Sequence, residues 1–177
     1  PPGVIVRDWV RPTPRQHKGG VVKILFVGGD LKRKGGHLLL QAFRNLNRAG
    51  VELHLVTKDR IEKQPGIFVY NDIEPNSSVL KGLYHDCDIF VLPTMGDCLP
   101  MVLSEAGAAG LAVVSTDIAG IPEIVQDGIT GLTVPPGDVS KLAGALQSLL
   151  DNPGLRLELG SRACRHVSQA YDAEANT

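Results

Sequence analysis

Two apolar patterns alternate along the chain. Short, mostly apolar runs at 21–29 ("VVKILFVGG"), 51–57 ("VELHLVT"), 66–70 ("GIFVY"), 88–93 ("DIFVLP"), 111–116 ("LAVVST") and 130–136 ("TGLTVPP") read as strands. Between them lie segments with helical spacing. Leu38, Leu39, Ala42, Phe43 and Leu46 mark one face of a helix expected to end at Gly50. Asn76, Ser77 and Ser78 offer caps for a short helix in "NSSVLKGLYHDC". Pro100 suits the first turn of the next helix, which Gly110 stops, and "GIPEIV" carries a shorter one. Asp138 or Ser140 caps "DVSKLAGALQSLLDN", and a last helix runs from Pro153 to about Tyr171. Strands this apolar need cover on both faces, as parallel sheets have. The pattern predicts one doubly wound α/β domain over 21–177, with about six parallel strands and helices on both faces. Residues 1–20, rich in Pro, Arg, Lys and Gly, read as a linker.

Composition narrows the class. At 177 residues the chain can bury roughly 70% of its unfolded surface, so it needs neither disulfide nor metal to fold. A formal charge of −1 argues against a general nucleic-acid binder. No run approaches the ~20 apolar residues of a membrane span, and charges interrupt "PPGVIVRDWVRP" where a signal peptide would be apolar. Cys87, Cys98 and Cys164 lack zinc-site spacing and read as reduced thiols of a cytosolic protein. The Pro-Pro start and the "AYDAEANT" end suggest a piece of a larger polypeptide.

Candidate chemistry collects where strands run into helices. Asp97 and Glu105 flank the amino end of the helix that follows "DIFVLP". That is the carboxyl edge of an α/β sheet, where ligands bind. The loop "GGDLKRKGG" (28–36) follows the first strand and carries Arg33 and Lys34. It is neither Gly-x-Gly-x-x-Gly nor a P-loop, yet a Gly-rich basic loop feeding a helix amino end favours an anion. Standing alone it reads equally well as a solvated basic turn. His85, Asp86, Cys87 and Asp88 mimic a metal-binding Asp-x-Asp cluster, but they precede their strand and so belong to the amino edge. They are read as structural.

From Asn76 onward, "DIFVLPT…DCLPMVLSEAGAAGLAVVSTDIAGIPEIVQDGITGLTVPPGD" closely resembles the carboxyl-terminal domain of family 4 retaining glycosyltransferases of the GT-B fold. "FVGGDLKRKGGHLLLQAF" resembles the same domain's first strand, loop and helix, and "PPGVIVRDWVRP" its interdomain connection. The resemblance implies a Rossmann-like half of a GT-B enzyme that binds a UDP-, GDP- or ADP-linked sugar. Its amino-terminal partner domain, absent here, would present a glycan, lipid or small-molecule acceptor.

On the family pattern Glu105 accepts from the ribose hydroxyls and Asp97 contacts the transferred sugar. Lys34 neutralises the diphosphate, and the backbone of Met101 and Val102 faces it. Tyr70 and Asn71 sit where the nucleotide base packs, and Leu99 falls within the same donor-binding segment. Asp97 stands where the family has glutamate. Gly28 and Gly29 stand where it has arginine, a charge that Arg33 or bare glycine N–H groups could replace. Gly120 falls near the sugar position or serves as a turn, and Glu123 is read as structural. The resemblance implies hexosyl transfer without metal or cofactor, in the cytoplasm or peripherally at a membrane through the absent domain. A non-catalytic nucleotide-sugar module is the alternative, followed by an epimerase or phosphorylase of the same architecture.

Overall fold

The computed structural model describes residues 3–16 and 19–177. Six strands, β1 (Val22–Val27), β2 (Val51–Val56), β3 (Ile67–Tyr70), β4 (Ile89–Leu92), β5 (Ala112–Thr116) and β6 (Leu132–Val134), form one sheet in the order β3-β2-β1-β4-β5-β6. Every pairing is parallel. Phe26, Leu53, Leu55 and all four residues of β4 are fully buried, which is why the strands read as apolar runs. The doubly wound α/β prediction therefore holds.

The helices are α1 (Gly36–Leu46), α2 (Ser78–Asp86), α3 (Met101–Ala108), α4 (Ile121–Ile124), α5 (Val139–Asp151) and α6 (Pro153–Ala170). Right-handed crossovers put α1 on one face and α2 to α4 on the other. On the first face α1 packs on α5, and on the second α3 packs on α6. Side chains start several of them. Ser77 accepts from the N–H of Leu80, Asp138 from that of Lys141, and Asn152 from that of Leu155. Asp138, not Ser140, therefore caps α5. Pro100 is the N-cap of α3 rather than a first-turn residue. The first helix ends with its last apolar residue, before the expected stop at Gly50. Asn47, at φ 41°, closes α1 after Leu46, and Gly50 instead forms the turn into β2.

Of the stretch 1–20, residues 1, 2, 17 and 18 lie outside the described residues. Its described part lies against the domain. Val4 bridges to Asp172 beyond α6, a 3₁₀ turn covers Val6–Asp8, and Val6 and Trp9 are buried. Arg15 fastens the segment's far end. Its guanidinium donates to the carbonyls of Tyr84 (2.6 Å), Ala109 (3.1 Å) and Cys87, where α2 and α3 end. Those carbonyls have no helical partner, so a cation suits them. Burial lowers the Arg15 pKa to about 10.

Candidate functional site

The strand order reverses beside β1, whose neighbours β2 and β4 are reached by crossovers running in opposite directions. Loops leaving the carboxyl ends of β1 and β4 therefore splay apart, and a crevice opens between them. A cleft of about 610 Å³ lies there. Gly28 and Gly29, Tyr70 and Asn71, and Val102 and Glu105 all line it. The topology thus brings together residues from three distant parts of the chain.

A second group of predicted residues forms an ion-pair cluster that joins the cleft through Gly28. A β-carbon at Gly28 would lie 2.8 Å from the Phe26 ring and 3.0 Å from the Lys34 stem, so glycine lets that stem pack close to the backbone. Lys34 Nζ donates to Asp97 Oδ1 at 2.6 Å, and Thr94 Oγ1 donates to Asp97 Oδ2 at 2.6 Å. The side chains of Lys34 and Asp97 are only 17% and 11% exposed, so their attraction is screened little. Arg33 stands further out, 3.8 Å from Asp97 and 4.0 Å from Asp30, with its side chain 58% exposed. The lysine and the first carboxylate are therefore paired with each other. Among the described residues Asp97 takes one of the three donors of the Lys34 ammonium, which leaves two for a ligand.

The two loops are laced together by backbone. The N–H of Met95 donates to the carbonyl of Arg33 at 3.2 Å. The loop after β5 joins them, since the N–H of Gly120 donates to Cys98 at 3.2 Å. Leu99 packs toward Gly120 and does not line the cleft. Met101 is 39% exposed and outside it as well. In the same β5 loop, Ala119 adopts φ 47°, a left-handed conformation that disfavours a β-carbon. Ala119→Gly is expected to stabilise the chain by about 0.5–1 kcal/mol, because relief of that strain exceeds the added freedom of the unfolded chain. Urea denaturation checks this, and a loss of stability would contradict it.

Glu105 is half-buried on α3 and faces the cleft. Burial raises its pKa, while the Tyr84 hydroxyl and the Lys81 charge hold it down. Tyr84 itself is fully buried and donates to Glu105 Oε2 at 3.0 Å. Tyr70 is pulled towards the sheet, its hydroxyl 2.8 Å from His54 Nδ1. Asn71 donates to the carbonyls of Thr57 (3.1 Å) and Asp59 (2.8 Å), which fixes one wall of the cleft. No side chain caps α3, which leaves the first-turn N–H groups of Met101 and Val102 without a side-chain acceptor.

Three contributors escape the sequence reading. Lys58 lines the cleft, and its stem lies 4.0 Å from where a Gly29 β-carbon would be. Thr94 orients Asp97, and Tyr84 holds Glu105. A polar residue just past the end of an apolar strand, such as Thr94 or Lys58, is the signal that could have found the first two. His85, Asp86, Cys87 and Asp88 lie at the opposite edge. There His85 Nε2 is 2.8 Å from the Trp9 carbonyl oxygen, and Asp88 accepts from the N–H of Lys23 at 2.9 Å. Among the described residues no group of three or more His, Cys, Asp or Glu is placed to hold a metal ion. No described helix is long and apolar enough to cross a membrane.

The profile of the family described as glycosyl transferases group 1 matches residues 21–152. The chain belongs to that family. Among group 1 glycosyl transferases it is similar to the putative colanic acid biosynthesis glycosyltransferase WcaL of Salmonella typhimurium, with 31% identity over 95% of this chain and 46% of the relative. Its fold matches the carboxyl-terminal domain of the group 1 protein LpcC from Francisella tularensis. That match has a TM-score of 0.81, 20% identity, and covers 97% of this chain and 100% of that one. It also matches Anabaena HepE in complex with UDP-glucose, with a TM-score of 0.83, 19% identity, and 98% and 53% of the two chains covered. The chain spans less than half the length of the curated relatives it matches.

Proposed function

We propose that this chain is the donor-binding half of a retaining glycosyltransferase, moving a hexose from a nucleoside diphosphate sugar to an acceptor held by a second, amino-terminal domain. One observation carries the reading. The crevice beside β1 gathers a bare Gly28–Gly29 backbone and a half-buried carboxylate, and just outside its lining the Lys34 stem packs against Gly28. In this reading residues 1–20 form the connection to the partner domain. Solved HepE structures with UDP, UDP-glucose, and UDP and glucose make a uridine nucleotide the first donor to try.

In the proposed complex Glu105 accepts from the ribose, each charge-assisted bond contributing roughly 1.5–3 kcal/mol. The diphosphate lies over Gly28 and Gly29, facing the first turn of α3. Lys34 and Lys58 supply positive charge there, and Lys58 takes up the role of the arginine that this chain lacks. As the glycosidic bond breaks, negative charge grows on the leaving diphosphate, and fixed cations stabilise it most at that moment. The residues assigned to this charge need no metal or cofactor. Asp97 sits at the sugar end, oriented by Thr94. A second reading is a binding module without catalysis, favoured by one observation: Asp97 is already neutralised by Lys34.

Titration with UDP, GDP and ADP, with and without a chelator, tests the proposal. One nucleoside diphosphate is expected to bind with modest affinity, equally in both conditions. Binding that disappears on chelation would show that the positive charge comes from a metal instead. Sugar transfer is expected only when the partner domain is supplied, because proximity effects of ~7–11 kcal/mol require both reactants to be held. Binding without transfer even then would favour the module.

A further inference from the structure

Tyr84 is a fully buried side chain whose hydroxyl is directed at the candidate donor carboxylate. Its ring stacks on Phe90 (centroids 5.6 Å apart, planes at 14°) and meets Trp9 edge-on (5.0 Å, 71°). Held between two aromatic rings, the phenol has little freedom, and its hydroxyl donates to Glu105 Oε2. A buried hydroxyl is costly unless partnered, so the bond fixes both groups at once. Trp9 is fixed in turn by the same face of α2. Lys81 Nζ stands 5.5 Å from the centre of its indole, and His85 lies within hydrogen-bond distance of its carbonyl. Lys81, Tyr84 and His85 are spaced i, i+3, i+4, which places all three over Trp9.

We propose that Tyr84 is the positioning residue for Glu105: its hydroxyl holds one carboxylate oxygen so that the other is presented to a ribose hydroxyl, and Trp9 locks Tyr84 in place. The proposal rests on the nucleotide reading of the cleft. It ties the segment before β1 to the donor carboxylate through two side-chain contacts. It also makes Glu105 asymmetric. Oε2 belongs to the protein and Oε1 to the ligand.

The electrostatics give a readout that packing alone would not move. The Tyr84 hydroxyl favours the ionised form of Glu105. The other charge acting on Glu105 is Lys81 on α2, and Lys58, Asp72 and Glu74 line the same cleft. All of these remain in Tyr84→Phe, which keeps the ring and removes only the donor. The Glu105 titration should therefore move further upward in that variant, and nucleotide binding should fail at a higher pH as acid is added.

The test combines carbon-13 NMR titration of the Glu105 carboxyl with calorimetry of UDP, GDP and ADP. It is run on the unaltered chain, Tyr84→Phe, Glu105→Gln, the double variant and Trp9→Leu, each first checked for cooperative thermal unfolding. Tyr84→Phe is expected to weaken nucleotide binding about tenfold at neutral pH, and to add nothing in the Glu105→Gln background. Trp9→Leu is expected to weaken it about threefold, with no further loss once Tyr84 is Phe. An unmoved Glu105 titration together with unchanged affinity in Tyr84→Phe would overturn the positioning role and leave the nucleotide reading intact. An upward titration shift in a chain that binds no nucleotide would overturn the nucleotide reading and support the Tyr84–Glu105 link, which the NMR measures without ligand. Additive losses for Trp9→Leu and Tyr84→Phe would remove Trp9 from the proposal.

Discussion

Gly35→Ala is expected to abolish nucleotide binding and to cost roughly 2–5 kcal/mol of stability, from left-handed backbone strain plus overpacking. Gly35 has φ 77°, and a β-carbon there would lie 1.8 Å from the Pro93 carbonyl oxygen. That carbonyl directly follows β4 and is held in place, because the N–H of Met95 donates to the Arg33 carbonyl and the Thr94 carbonyl accepts from the Thr116 hydroxyl. The loop must therefore lift away from β4, carrying Lys34 off Asp97. Gly50→Ala is the control. Gly50 has nearly the same φ, 76°, with nothing within 4 Å of the missing β-carbon. It should cost only about 1 kcal/mol and leave binding unchanged. Chemical denaturation and calorimetry of both variants decide the matter, and equal losses would mean that the contact with Pro93 is irrelevant.

The second large effect concerns the paired charges. Lys34→Met is expected to weaken nucleoside diphosphate binding by about a hundredfold, since it removes a charge-assisted donor from a poorly screened site. Asp97→Asn is expected to do the opposite and tighten the free diphosphate, because Asp97 competes for the same ammonium. The nucleotide sugar should not gain in parallel, since the same change removes the carboxylate assigned to the sugar. In the double variant, nucleotide affinity should match Lys34→Met alone. If Asp97→Asn weakens free diphosphate as much as Lys34→Met does, the pair acts as one structural unit, and the assignment of Lys34 to the diphosphate fails. Repeating the titrations at several salt concentrations separates charge from shape, as only the charge component is screened.

The sequence reading reached different depths in different places. Each strand run carries its own evidence of burial, so sheet, helices and carboxyl-edge loops follow from patterns a few residues long. Pro100 and Gly50 show the limit of that reading. Both are correct punctuation marks, but α3 begins one residue after Pro100, and Asn47 ends α1 before Gly50 can. Local propensity marks a boundary zone, and the backbone hydrogen bonds choose the residue.

The candidate site divides in the same way. Lys34, Asp97 and Glu105 could be singled out because each sits beside the carboxyl end of a strand or at the amino end of the helix that follows. That Lys34 holds Asp97, 63 residues away, depends on β1 and β4 being neighbours, and no local pattern states which strands pair. Lys58 enters the cleft for the same reason, through the pairing of β1 with β2. Trp9 is the clearest case. It stands in a stretch rich in Pro, Arg, Lys and Gly, so composition reads the segment as linker. In the structure it is buried against Tyr84, which holds Glu105. The sequence by itself determined the layers and the edge on which chemistry collects, because burial imposes a repeat on every strand and helix. Only the tertiary structure decided which charges neutralise each other and which side chain aims Glu105, because those contacts cross between loops whose distance is set by strand order.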